Sequence, residues 1–100
     1  MGAVRHIAEL NVGRLLAALD VKPGDTVCDL GCGVGFLTLP LAAMVGAQGE
    51  VLAVDIQAEM LERLKARAKA ADVENIRSVL ASPADPKLAP RSCDLVLMVD

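Results

Sequence analysis

The sequence predicts an α/β fold built on an open, parallel, doubly wound sheet, and three observations carry that expectation. Short apolar runs alternate with segments of helical periodicity. The apolar runs are nearly continuous rather than alternating, the pattern of strands covered on both faces. The first run, residues 26–30, passes directly into a glycine-rich turn and then a helix. Right-handed crossovers leave few topologies, and the order 3-2-1-4 is expected, with its switch point beside the first strand. Open α/β sheets bind ligands there, outside the carboxyl ends of the strands.

Val4, Ile7, Ala8, Val12, Leu15, Leu16 and Leu19 recur at three- and four-residue spacing and predict a helix ending near Asp20. Val21-Lys22-Pro23-Gly24-Asp25 then breaks the chain, because proline fixes φ and the following glycine accepts turn geometry. After the strand at 26–30 comes Gly31-Cys32-Gly33-Val34-Gly35, and residues 36–45 read as a second helix with Pro40 tolerated in its first turn. Val51-Leu52-Ala53-Val54 is too short for a helix and reads as a buried strand that Asp55 terminates. Residues 57–71 return to helical spacing through Met60, Leu61, Leu64, Ala68 and Ala71, with Glu59 and Arg63 as an i, i+4 pair. Residues 76–81 form a third strand, 82–90 a proline-broken connection, and 95–99 a fourth strand.

Composition bounds the function. One hundred residues suit a single small domain, which buries roughly two-thirds of the surface its unfolded chain exposes. Phe36 is the one aromatic residue, so the core must come from Leu, Val, Ala, Ile and Met, and base stacking on aromatic side chains is excluded as a binding mode. The 10 basic residues are scattered and the net charge is −3, which leaves no stripe for nucleic-acid phosphates. No run approaches the roughly 20 apolar residues of a membrane span, so a soluble, cytoplasmic chain is expected. Cys28, Cys32 and Cys93 are odd in number and lack the spacing of zinc and redox motifs. Reduced thiols are expected, with Cys28 and Cys32 serving packing, and no metal site.

The chemically informative string is Val27-Cys28-Asp29-Leu30-Gly31-Cys32-Gly33-Val34-Gly35-Phe36. Glycines after a strand let the backbone turn tightly and approach a ligand closely. Asp29 immediately precedes them, and Asp55 closes the next strand 20 residues beyond Gly35, the interval at which a carboxylate can accept from ribose hydroxyls. A dinucleotide fingerprint would need a glycine or another small residue where Phe36 stands. The pattern of Gly31, Gly33 and Gly35 preceded by Asp29 instead resembles the first motif of class I S-adenosylmethionine-dependent methyltransferases. The resemblance continues through Val-Leu-Ala-Val-Asp-Ile at 51–56, Asn75-Ile76-Arg77-Ser78-Val79, Ala84-Asp85-Pro86-Lys87-Leu88 and the strand within 92–100.

That resemblance implies half of a doubly wound, Rossmann-like methyltransferase sheet with helices mainly on one face. Residues 1–100 would be a single cofactor-binding domain, cut off after the fourth strand before most of the acceptor pocket. The implied cofactor is S-adenosylmethionine, with S-adenosylhomocysteine as product. Gly31, Gly33 and Gly35 would admit the cofactor to the backbone, and Asp29 would orient the turn and the cofactor's ammonium. Asp55 would take the ribose hydroxyls, Ile56 would pack on the adenine, and Asp85 would accept from its exocyclic amine. Asp100 would face the methionine portion or solvent, and His6 would lie at the surface or cap a helix. No catalytic base is nominated, so cofactor binding without turnover is the expected activity of this chain. A catalytically competent small methyltransferase and a nicotinamide-dinucleotide-binding fragment are the alternatives. Finally, apolar residues on both faces of a sheet covered mainly on one, and an uncharged edge at 95–99, predict a homodimer through that edge or that face.

Overall fold

Parallel pairing places β1 (Thr26–Leu30) inside the sheet, with β2 (Glu50–Asp55) on one side and β4 (Leu95–Met98) on the other, and β3 (Ile76–Leu80) outside β2. The order 3-2-1-4 is therefore the one that the sequence predicts. The computed structural model describes residues 12–82 and 93–98. Within them lie three helices, α1 (Val12–Ala18), α2 (Thr38–Val45) and α3 (Ala58–Ala70). The part of the first predicted helix before residue 12 is outside the described residues. The second begins two residues later than its apolar spacing suggests, because the turn continues through Phe36 and Leu37. Pro40 is the third helical residue, within the first turn, where proline is tolerated.

Register explains which side chains become core. Val27 lies beside Val51 and Leu95, and Val51 beside Ile76, so these four share one face with Asp29, Ala53, Ser78 and Leu97 two residues further on. Leu41, Ala42 and Val45 of α2, with Leu16 of α1, pack there against Val27, Val51 and Leu97. Leu61 and Leu64 of α3 cover Ala53 together with Cys32. All three helices thus lie on one side; for α2 and α3, which connect β1 to β2 and β2 to β3, right-handed crossovers in this strand order require it. Burying Leu41, Val45 and Leu64 completely stabilises the fold by about 1.5–3 kcal/mol each. The exposed Arg63–Glu59 pair on α3, at 2.9 Å, contributes at most a few tenths of that.

The opposite face carries Cys28, Leu30, Leu52, Val54, Arg77, Val79 and Val96. Cys28 and Val54 are buried, Val96 is 42% exposed, and an Arg77–Glu50 ion pair of 3.0 Å crosses the β2–β3 margin. On β4, Leu97 is buried under the helices and Val96 is the outward residue. The proline-broken connection expected at 82–90 lies, after Ser82, outside the described residues.

β4 is fastened at its start by two hydrogen bonds, Thr26 N–H to Asp94 Oδ2 and Asp94 N–H to Thr26 O, both 2.8 Å. A disulfide joins Cys28 to Cys93, with Cα atoms 6.2 Å apart. This corrects the expectation of reduced thiols at those two positions: the parallel pairing of β1 with β4 brings together residues 65 apart in sequence, which spacing alone does not reveal. Cys32 remains a buried free thiol in the packing role expected of it. Among the described residues no helix is long and apolar enough to cross a membrane. Alkylation in denaturant is expected to label one cysteine without reductant and three with it; three labelled without reductant would contradict the disulfide.

Candidate functional site

At the carboxyl ends of β1 and β2 the backbone itself builds the site. Leu30 pairs with Val54, and the next two amides, Gly31 and Cys32, both donate to Val54 O at 2.8 and 3.2 Å. The chain turns there. Gly31 (φ +69°) and Gly33 (φ +57°) adopt left-handed conformations that L residues rarely hold, and a Cβ on either would meet nothing within 4 Å. Their backbone therefore faces open space that a ligand can enter. Gly35 differs: a Cβ there would collide with the Leu64 side chain, so its lack of one lets α3 pack against the turn. Arg67 of α3 adds a 2.9 Å hydrogen bond to Val34 O.

Asp55 joins the turn to the following helix. Its Oδ2 accepts from Gly33 N–H and its Oδ1 from Gln57 N–H, both at 2.9 Å. Each carboxylate oxygen has more than one acceptor site, so capacity for ligand hydroxyls remains. Asp29, 4% exposed, sits on the helix-covered face of β1 and accepts a 2.6 Å hydrogen bond from Thr38 Oγ1. Burial pushes the Asp29 carboxyl above its ordinary pKa; the Thr38 hydrogen bond opposes this, and the nearby Asp55 carboxylate reinforces it. Cys32 donates weakly to Gly33 O at 3.6 Å, and burial, then Asp29 and Asp55, push its thiol up to about 12. It is protonated at neutral pH, which removes it as a nucleophile. Among the described residues no group of His, Cys, Asp and Glu could hold a metal ion.

Asp29, Gly31, Cys32, Phe36 and Leu37 line a cavity of about 160 Å³. Phe36 (61% exposed) and Ile56 (57% exposed) leave large apolar side chains uncovered at this end of the strands. A larger cavity of about 600 Å³ lies at the amino ends, beside Gly46, Gly49, Glu50 and Asn75. Size does not decide between them, because the two carboxylates and the open glycine backbone are all at the carboxyl ends, where sheets of this type bind ligands.

Of the residues singled out by sequence, Asp29, Gly31, Gly33 and Asp55 come together, with Ile56 adjoining. Gly35 belongs to the same turn with its Cβ position committed to α3. Asp85, Asp100 and His6 lie outside the described residues. Sequence reasoning does not single out Thr38 or Arg67; the one signal it offers is that Thr38 is the sole polar side chain in residues 36–45. The donor set suits a nucleoside cofactor bearing hydroxyls and a cationic group: carboxylates to accept, open backbone to approach, and apolar side chains to flank a base.

By its sheet order and the glycine turn at its switch point, the chain is a Rossmann-like α/β domain. A family model described as a methyltransferase domain matches residues 27–100, and the chain belongs to the class I S-adenosylmethionine-dependent methyltransferase family. It is 34% identical over 84 residues to aklanonic acid methyltransferase DauC of Streptomyces sp., covering 84% of this chain and 38% of that enzyme. It superposes on a S-adenosylmethionine-dependent methyltransferase from Aquifex aeolicus with a TM-score of 0.80 and 28% identity, over 88% of this chain and 47% of that one. It is likewise similar to Haemonchus contortus phosphoethanolamine N-methyltransferase 1, solved with phosphoethanolamine and S-adenosylhomocysteine, at a TM-score of 0.73 and 25% identity over 87% of this chain and 18% of that one. The chain thus spans less than half the length of each of these relatives.

The direction of the Asp29 shift has a consequence for stability. A carboxyl whose folded pKa is raised holds its proton more tightly in the folded than in the unfolded chain, so its stabilising contribution is full below about pH 3.9 and is lost as pH rises through the folded value. Asp29→Asn, which retains an acceptor for Thr38, is expected to raise Tm at pH 7 and to leave it unchanged near pH 3. Thermal unfolding followed by circular dichroism at both pH values checks this; a lower Tm at pH 7 would contradict it.

Proposed function

We propose that the chain binds S-adenosylmethionine and S-adenosylhomocysteine at the carboxyl ends of β1 and β2, as the cofactor-binding part of a methyltransferase. The observation that carries this reading is the convergence of buried Asp29, open Gly31 and Gly33, and the Asp55 carboxylate on one end of the sheet. Asp55 takes the ribose hydroxyls, Asp29 the ammonium, and the glycine backbone lies along the methionine portion. Ile56 flanks the adenine, Gly35 holds the turn against α3, and Asp85 accepts from the adenine amine. When bound, the cofactor supplies an electrophilic methyl group on a sulfonium. The residues here bind and orient it and keep water from its apolar parts; placing the acceptor in line falls to other parts of a full-length enzyme. Phe36, where a dinucleotide fingerprint has a small residue, argues against a nicotinamide cofactor.

Calorimetric titration with S-adenosylhomocysteine should show saturable one-to-one binding, with no binding of nicotinamide adenine dinucleotide. Asp55→Ala should weaken it by about 1.5–3 kcal/mol, the scale for hydrogen bonds to a charged acceptor. Unchanged affinity in that variant would remove the ribose assignment. Self-association through the β4 edge or the second sheet face is part of the same proposal, supported by exposed Val96. Light scattering should report a dimer that Val96→Lys dissociates; a monomeric wild-type chain at micromolar concentration would contradict it.

A further inference from the structure

We propose that Thr38 is a positioning residue for the cofactor: by fixing one oxygen of Asp29 it presents the other, ionised, to the ammonium of the cofactor's methionine portion. This rests on the reading of the site just given and adds a residue to it. Thr38 is the first residue of α2 and is completely buried. A helical threonine commonly bonds back to its own helix. This one donates across to β1, at 2.6 Å from Asp29 Oδ2. Among the described residues Asp29 Oδ1 accepts no hydrogen bond, yet no buried side-chain oxygen lacks a partner. Oδ1 is therefore not fully buried, and Asp29 lines a cavity with Gly31, Cys32, Phe36 and Leu37.

The hydroxyl does two things that an apolar side chain of the same shape could not. It fixes the carboxylate plane, so Oδ1 keeps one direction. It also favours the charged form of a group that burial drives toward the neutral one. Removing the donor raises the Asp29 pKa further. At any pH where Asp29 titrates, a larger fraction of it is then protonated and the ammonium loses its partner; raising the pH restores it. Among the described residues, the titratable groups facing Asp29 are Asp55 at the end of β2 and Cys32 in the turn. α2 carries no titratable side chain, β4 presents Leu97, and α3 contributes Leu64 near the turn and Arg67, held on Val34 O. Cys32 stays protonated through this range, and Asp55 is common to every variant.

The test is calorimetric titration of the whole chain and its variants with two ligands, S-adenosylhomocysteine and 5′-methylthioadenosine, which lacks the amino-acid portion. Measurements run from about pH 5.5 to about pH 8, where an unperturbed carboxylate is already ionised. Thr38→Val should weaken S-adenosylhomocysteine binding about tenfold at the acid end and recover toward wild type at the alkaline end, while 5′-methylthioadenosine affinity shifts less than about twofold. Thr38→Ser should stay within about twofold of wild type throughout, because it keeps the donor. In an Asp29→Asn background Thr38→Val should add nothing to the loss. Thr38→Ala supplies the same comparison should Thr38→Val not fold. Equal losses for both ligands, or a loss independent of pH, would assign Thr38 a purely structural role and overturn the proposal. Wild-type binding of S-adenosylhomocysteine that Thr38→Val leaves unaltered would overturn this role alone; failure of the wild-type chain to bind either ligand would overturn the reading of the site and this role with it.

Discussion

The parallel register between β1 and β2 is the constraint on which the rest of the structure depends. With Leu30 beside Val54, the Val54 carbonyl collects two amides from the start of the glycine turn, and Asp55 emerges within reach of Gly33 N–H. Sliding one strand by a single residue would turn its core side chains to the opposite face and move Asp55 off the turn. One set of backbone hydrogen bonds therefore fixes both the hydrophobic layer under α2 and α3 and the spacing of two carboxylates at the sheet's end.

Holding two carboxylates there is costly to the fold, and the neighbourhood shows how the cost is managed. Asp29 is buried close to Asp55, so its charged form is disfavoured, and Thr38 provides a compensating donor. Asp55 is satisfied by two backbone amides instead. α3 braces the turn from behind, through Leu64 in the space left by Gly35 and Arg67 on Val34 O. The result is an acceptor-rich recess on a rigid support, suited to hydroxyl and cationic donors. Such arrangements commonly trade some stability for binding.

The sheet order, the strands and the Asp29–Gly33–Asp55 arrangement were legible because they depend on local patterns: apolar runs of strand length, glycines at fixed offsets, and an acidic residue at a strand's end. What stayed hidden depends on contacts between distant elements. Thr38 looks like an ordinary helix residue until α2 is laid against β1, and Gly35 looks like its fellow glycines until Leu64 arrives from α3. The Cys28–Cys93 pairing follows from β4 lying beside β1. Which of Val96 and Leu97 faces the helices turns on a one-residue choice of phase, which a four-residue apolar run cannot specify.

Cofactor binding at the carboxyl ends of the strands, and not in the larger cavity at their amino ends, is the central claim. Backbone amide shifts of the isotope-labelled chain, followed by NMR during addition of S-adenosylhomocysteine, test that placement residue by residue. Perturbations are expected to concentrate at Asp29, Gly31, Gly33, Asp55 and Ile56, with Gly46, Gly49 and Asn75 unmoved. Shifts confined to Gly46, Gly49 and Asn75 would contradict it.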